Sequence, residues 1–273
     1  MKKSRLDLLA VERGLFSTRQ IAQTAIMDGA VLVNGEKVTK PGLNIRLDAN
    51  IELIPGFSIP KYVSRGGLKL EKGLDAFAVD VQDRVCIDIG ASTGGFTDCL
   101  LQRGAGKVYA VDVGYGQIDW SLRQDARVVV MERVNARYLK PEELYESAET
   151  ARATMLVSDV SFISLTKILE PAISFLSSDS SELVLLIKPQ FEVGRESVEK
   201  GGVVTSARAH EGAIETVVQF ARAQGLRLQG LTYSPLTGPA GNIEYLVHFA
   251  NFGADQVISV SGIVKEAFLE LRS

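Results

Sequence analysis

The sequence predicts an α/β fold in two parts, a large domain of alternating strands and helices preceded by a small α+β domain, and three observations predict it. In the first, the apolar run Val85-Cys86-Ile87-Asp88-Ile89 passes into Gly90-Ala91-Ser92-Thr93-Gly94-Gly95 and then into a helical pattern beginning at Phe96-Thr97. Glycines at 90, 94 and 95 let a ligand reach backbone that side chains would cover, and the helix that follows offers free N–H groups. In the second, a further apolar strand, Val108-Tyr109-Ala110-Val111, ends on Asp112, where open α/β folds place the carboxylate that holds a ribose. In the third, apolar runs alternate with helical patterns from residue 61 onward, which implies a parallel sheet with helices on both faces.

Taken in order, Arg5-Leu6-Asp7-Leu8-Leu9 starts a short helix that Gly14 ends. Ser17 is placed to cap a second helix over residues 18–27, which Asp28-Gly29 stops. Val31-Leu32-Val33, the turn Asn34-Gly35 and Glu36-Lys37-Val38 read as a β-hairpin. After Lys40-Pro41-Gly42, Ile51-Glu52-Leu53 makes the last strand of this domain. Pro55-Gly56-Phe57-Ser58-Ile59-Pro60 has the composition of a linker, so the expected boundaries are a domain at 1–58, a joint at 59–63 and a second domain at 64–273. In that second domain, strands are expected at 85–89, 107–112, 127–131, 154–158, 182–187, 227–233 and 243–250. Helices are expected near 67–78, 95–103, 163–176, 206–224 and 255–271.

A chain of 273 residues has room for one large and one small domain, and 46% apolar residues can build a substantial core. No run approaches the ~20 apolar residues that cross a bilayer. The longest, Leu183-Val184-Leu185-Leu186-Ile187, has the length of a buried strand. Met1-Lys2-Lys3-Ser4-Arg5 lacks the apolar segment of a signal peptide, so the expected compartment is the cytoplasm. Cys86 and Cys99 read as small buried hydrophobes, and His210 and His248 stand without metal-ligand company, so no metal site is expected. Trp120 reads as core packing, with stacking on a base as the other use of its ring. The net charge of −3 is split, with +2 on residues 1–60 and −5 on the rest, so any nucleic-acid contact must rest on a local patch.

The glycine spacing narrows the ligand. Three residues separate Gly90 from Gly94, and Asp88 stands two before the first glycine, whereas a dinucleotide loop needs G-x-G-x-x-G. The pattern resembles the S-adenosylmethionine loop of Rossmann-like methyltransferases. That resemblance implies that Asp88, Gly90, Ala91, Ser92, Gly94, Gly95 and Phe96 form the methionine side of a cofactor site. It also implies that Asp112 accepts from the ribose hydroxyls, with Val113, Asn135 and Ala136 as candidates for the adenine side.

Four further segments set charge at strand ends and turns: Arg65-Gly66-Gly67-Leu68-Lys69, Ser158-Asp159-Val160-Ser161-Phe162, Lys188-Pro189-Gln190-Phe191-Glu192 and Gly241-Asn242-Ile243-Glu244-Tyr245. Asp159 and Lys188 follow apolar strands and should emerge beside the glycine loop. A lysine directly after Leu-Val-Leu-Leu-Ile is costly unless it is paired or functional. In order, Lys69, Asp159, Lys188 and Glu244 resemble the Lys-Asp-Lys-Glu set of FtsJ-like ribose 2′-O-methyltransferases. The series Arg-Leu-Asp, Ser-Thr-Arg, Gly-x-Val-x-Val-Asn-Gly and Lys-Pro across the first domain resembles S4-type RNA-binding domains, which implies phosphate contacts for Arg5, Arg19, Lys37 and Lys40, with Arg65 added at the start of the second domain.

With both parts in one chain, the sequence resembles the TlyA family of rRNA (cytidine-2′-O)-methyltransferases, some of whose members are labelled haemolysins. It departs from the family at the joint, where Pro60-Lys61-Tyr62-Val63 replaces a segment that often carries an Arg and a Trp. The implied fold is a Rossmann-like, seven-stranded S-adenosylmethionine-dependent methyltransferase domain behind a small α+β S4-type domain. The implied partner is ribosomal RNA or a ribosomal subunit, with no membrane and no metal, and the oligomeric state stays open. In the implied chemistry, Lys188 acts as base or as a charged donor on the hydroxyl and Lys69 supplies a second positive charge. Asp159 orients the lysines near the methionine moiety, and Glu244 completes the network. Two other classes compete with this reading: a membrane-active haemolysin, which the lack of a spanning or cationic amphipathic segment disfavours, and a non-catalytic RNA-binding protein, which the intact four-residue set disfavours.

Overall fold

The computed structural model describes residues 3–16, 18–27, 29–57, 60–145, 147 and 150–272, and the chain divides into two compact units, Met1–Val63 and Ser64–Ser273. Ser17 and Asp28, the expected cap and stop of the second helix, Ser58 at the expected end of the first domain and Ile59 of the expected joint lie outside the described residues.

The first unit runs β1 (Lys3–Arg5), α1 (Leu6–Glu12), α2 (Arg19–Met27), β2 (Val31–Val33), β3 (Glu36–Val38), β4 (Asn44–Arg46) and β5 (Ile51–Leu53). β2 is the centre of an antiparallel sheet, paired with β3 through the Asn34-Gly35 turn and with β5 on its other side. Leu6, Leu9, Phe16, Ala22, Ile26 and Val31 form its core. β1 and β4 form a separate antiparallel pair that the sequence pattern did not suggest; Arg5 ends a strand instead of opening the helix. Strands of three residues bury at most one or two side chains each, so alternation has nothing to register.

The second unit begins with α3 (Gly66–Phe77), β6 (Val85–Ile89), α4 (Gly95–Gln102), β7 (Lys107–Val111), α5 (Trp120–Gln124), β8 (Val128–Met131), α6 (Pro141–Leu144) and β9 (Met155–Ser158). It continues through α7 (Thr166–Ser174), β10 (Glu182–Ile187), α8 (Pro189–Glu192), α9 (Ala207–Ala223), β11 (Arg227–Tyr233), β12 (Tyr245–Ala250) and α10 (Val260–Leu271). Seven strands form one sheet in the order β11-β12-β10-β9-β6-β7-β8. Alternate strand residues feed two cores: Ile87, Ile89 and Leu185 join Leu169, Val217 and Val264 from α7, α9 and α10, while α3 lies on the opposite face, close enough that a Cβ on Gly73 would sit 3.2 Å from Val184. Each fully buried leucine or isoleucine contributes about 1.5–3 kcal/mol.

The expectation of an all-parallel sheet is corrected at one strand. β12 runs antiparallel to both β10 and β11, Ile187 lying opposite Tyr245. No helix separates β11 from β12, so the chain cannot cross the sheet between them and must return alongside.

Candidate active site

β6 carries the chain to the carboxyl edge of the sheet, where Gly90 turns it at φ 85° and Gly94 opens α4 at φ 95°. A side chain is excluded at Gly90 and at Gly95: a Cβ on Gly90 would stand 3.1 Å from the carbonyl oxygen of Asp159, and one on Gly95 would stand 2.9 Å from the amide nitrogen of Gly67. Asp112, one residue past β7, accepts from the amides of Ser92 at 2.8 Å and Gly114 at 2.6 Å and so ties the loop to the next turn. Each of its oxygens keeps a second lone pair for a hydroxyl.

Against these residues lies a cleft of about 460 Å³, within the range of small-molecule sites. Gly90, Ser92, Asp112, Asn135 and Asp159 line it, as do Val113 and Ala136. Gln117, which accepts from the Ser92 hydroxyl, also lines it; nothing in the sequence marked that residue.

A second cleft, about 280 Å³, shares Gly90, Ser92, Asp159 and Ser161 with the first and is otherwise walled by Ala91, Gly95, Phe96, Arg65, Lys69, Lys188 and Thr237. It gathers three residues from distant parts of the unit, Lys69 from α3, Asp159 just past β9 and Lys188 just past β10, while Glu244, just before β12, lines neither cleft and reaches the group through Lys69. Lys69 Nζ meets Glu244 Oε2 at 2.5 Å, and both are buried. Lys188 Nζ meets Asp159 Oδ1 at 2.6 Å and donates to Ser161 Oγ at 2.7 Å. Burial raises the Glu244 carboxyl, the positive charges of Lys69 and Lys188 oppose that rise, and Asp159 adds to it, so one carboxyl senses all three partners. Lys188, directly after an apolar strand, therefore has an ion pair to offset its burial.

Asp88 and Gly94 line neither cleft. Asp88 is fully buried beneath the loop, where Thr97 donates to Oδ2 at 2.7 Å and Oδ1 has no partner among the described residues. Burial, reinforced by the nearby carboxylates of Asp159 and Asp112, pushes the Asp88 carboxyl up to about 7.

The loops after β9 and β10 are fastened to each other beyond the Lys188–Asp159 pair. Glu192 accepts from the Ser164 hydroxyl at 2.5 Å and the Leu165 amide at 2.8 Å, closing the start of α7, and burial raises its carboxyl. The ring of Phe162, 90% exposed and held at φ 64°, lies 5.2 Å from that of Phe191. Phe162 also lines the larger cleft. Ser161 and Glu192 both stand in the segments that carry Asp159 and Lys188, yet only the fold shows that they face each other's loop.

In the first unit, Arg5 and Arg19 both pair with Asp7, while Lys37 and Lys40 are exposed on and after β3. Arg65 is exposed on the wall of the smaller cleft. Trp120 is corrected: its ring is 64% exposed at the start of α5 and not part of the core. His210 is buried, bonded to the Tyr245 hydroxyl and the Val204 carbonyl, and burial lowers its pKa. His248 pairs with Glu182, and both cysteines are buried and form no disulfide. No cluster suited to a metal ion occurs among the described residues.

The FtsJ-like methyltransferase family model matches residues 62–251, and the S4 domain model matches residues 4–51. The chain is 51% identical to the "Putative rRNA methyltransferase YqxC" of Bacillus subtilis over 247 residues, 90% of this chain and 85% of that protein. It is 42% identical to the 16S/23S rRNA (cytidine-2′-O)-methyltransferase TlyA of Mycobacterium tuberculosis over 262 residues, 96% of this chain and 95% of that one. A solved structure of a "Putative hemolysin" from Streptococcus thermophilus matches at 45% identity with a TM-score of 0.76, covering 100% of this chain and 98% of that one.

Proposed function

Because this chain belongs to the TlyA family, FtsJ-like methyltransferases with an N-terminal S4 domain, we propose that it transfers a methyl group from S-adenosylmethionine to the 2′-hydroxyl of a cytidine in ribosomal RNA. The observation that carries the reading is the shared wall of the two clefts. Gly90, Ser92, Asp159 and Ser161 border both, whereas Lys69 and Lys188 stand only in the smaller. Cofactor and acceptor thus have separate chambers that meet at one wall.

The residues of the larger cleft fit the cofactor. The backbone at Gly90, which lines it, has no room for a Cβ, and Asp112 offers the acceptor a ribose needs. When bound, S-adenosylmethionine supplies a methyl group already activated by its sulfonium. The protein has then to align the nucleophile, because a ribose hydroxyl attacks poorly without positioning. Lys188, an ion-paired ammonium fixed by Asp159 and Ser161, donates to the hydroxyl oxygen and turns a lone pair toward the shared wall. Lys69, fixed by Glu244, brings a second positive charge to the oxygen as its proton is lost to water.

The site lysines and acids act as that set in this reading, and the S4 unit is the docking arm for rRNA, whether free or in an assembled subunit. The compartment is the cytoplasm. A membrane-active role is not favoured: no helix among the described residues is long and apolar enough to cross a membrane. The test incubates the full chain with labelled S-adenosylmethionine and 16S rRNA, 23S rRNA or isolated subunits and maps the label. Label on a cytidine 2′-oxygen is expected; label on a base, or none with any of these RNAs, would overturn the reading.

A further inference from the structure

In the first unit, one carboxylate has no solvent exposure and four side-chain contacts. Asp7 accepts from Arg5 Nε at 3.0 Å and Nη2 at 2.8 Å, from Arg19 Nε at 2.9 Å and from Gln23 Nε2 at 2.7 Å. It also accepts from the Leu8 amide at 3.0 Å. Two cations bound to one buried acid hold its carboxyl far below the usual carboxylate range. The arginines differ from their anchor. Their side chains are 42% and 50% exposed, and the Arg5 guanidinium crosses Gly42, where a Cβ would lie 3.1 Å from Nη1.

An arginine used only to neutralise a buried acid would spend its whole fork on it. Here Arg19 gives Asp7 a single nitrogen, and among the described residues its two terminal nitrogens and the Nη1 of Arg5 bond to no other group. Two planar forks, locked at their inner edges and open at their outer ones, suit oxygens of a phosphodiester.

We propose that Asp7 is a positioning residue for RNA: it fixes Arg5 and Arg19 as a pre-formed pair for backbone phosphate, so that neither side chain has to be ordered when RNA binds. The inference rests on the RNA-docking role given above to this unit. It has a sign that plain electrostatics does not. Removing Asp7 adds one positive charge to the unit, which by charge alone would tighten RNA binding. If Asp7 acts by holding the arginines, removal weakens it.

The experiment measures binding of transcribed 16S and 23S rRNA to the full chain over a range of salt, for wild type, Asp7→Asn, Arg5→Lys and Arg19→Lys. Asp7→Asn is expected to bind about tenfold more weakly, with a salt slope shallower by about one, the loss of roughly one phosphate contact. The lysine variants keep every charge and sit on the exposed side, so they test the idea even if Asp7→Asn melts the unit. They too should bind more weakly, because an ammonium cannot pair with Asp7 and present a fork outward. Equal or tighter binding by Asp7→Asn with its melting temperature intact, or lysine variants equal to wild type, would overturn the inference. In those cases the wild type still binds, so the RNA-docking reading stands; a wild type without affinity for either RNA would overturn both.

Discussion

The ammonium of Lys69 meets the carboxylate of Glu244 at 2.5 Å, although 175 residues of chain separate them. The antiparallel course of β12 makes this meeting possible. Asp159 and Lys188 leave the carboxyl ends of parallel strands, and only a strand running the other way brings its own beginning, with Glu244, to that same edge.

Glu244→Ala should therefore cost more than a surface ion pair would. Leaving a buried Lys69 without its partner is expected to destabilise the second unit by about 3–5 kcal/mol. Glu244→Gln keeps the shape and an acceptor oxygen and should cost less stability while still lowering turnover. Urea unfolding and single-turnover methylation measured on both variants check the split. Equal stability of Glu244→Ala and wild type would show that Lys69 is not held by Glu244.

Lys188→Ala should leave the fold and the cofactor affinity in place and reduce turnover by something like 10²–10⁴-fold, the range of a positioned group acting on the reacting proton or oxygen. Lys188→Arg should not restore it. A guanidinium is planar and longer, and it cannot occupy the point between Asp159 and Ser161 that Nζ fills. Single-turnover assays on rRNA decide this, and near-normal turnover in Lys188→Ala would move the role elsewhere.

Asp112→Ala should weaken binding of S-adenosylhomocysteine by roughly 1.5–3 kcal/mol, the worth of hydrogen bonds to a charged group. The loss has two sources, a missing acceptor for the ribose and a glycine loop freed from the bond at the Ser92 amide. Calorimetry reads their sum. Hydrogen exchange at the Ser92 and Gly114 amides, measured without ligand, reads the loop order alone. Unchanged affinity in Asp112→Ala would exclude the ribose role.

Strand–helix alternation made the large unit legible, and the glycine loop, Asp159 and Lys188 could be read at the ends of its apolar runs because strands buried on both faces carry an unmistakable pattern. Direction was not legible. An apolar run such as Tyr245–Ala250 looks the same whichever way it travels, and the sense of β12 is set by the connection, residues 234–244, which has no periodicity of its own. Positioning residues were hidden for a related reason. Asp7 sits among the helical residues of α1 and reads as a first-turn acid; its two arginines come from β1 and α2, and only packing brings them together. Glu192 reads as the end of a motif, and its partners lie 27 and 28 residues earlier.

Asp88 gives the last prediction, on pH. Its carboxyl, pushed up to about 7 by burial, keeps its proton in the folded chain well above the pH at which the unfolded chain has lost it. Between about pH 4 and 7 the folded state binds more protons than the unfolded state, so this group's contribution makes stability fall as pH rises through that window. The difference between the two states corresponds to a loss of roughly 4 kcal/mol, fully expressed only above about pH 7. Asp88→Asn keeps an acceptor for the Thr97 hydroxyl and has no proton to lose. Its stability relative to wild type should therefore climb through the same window and level off above about pH 7. Urea unfolding of both proteins at several pH values measures the difference, and parallel pH profiles would mean that Asp88 loses its proton in the folded chain at the same pH as in the unfolded one.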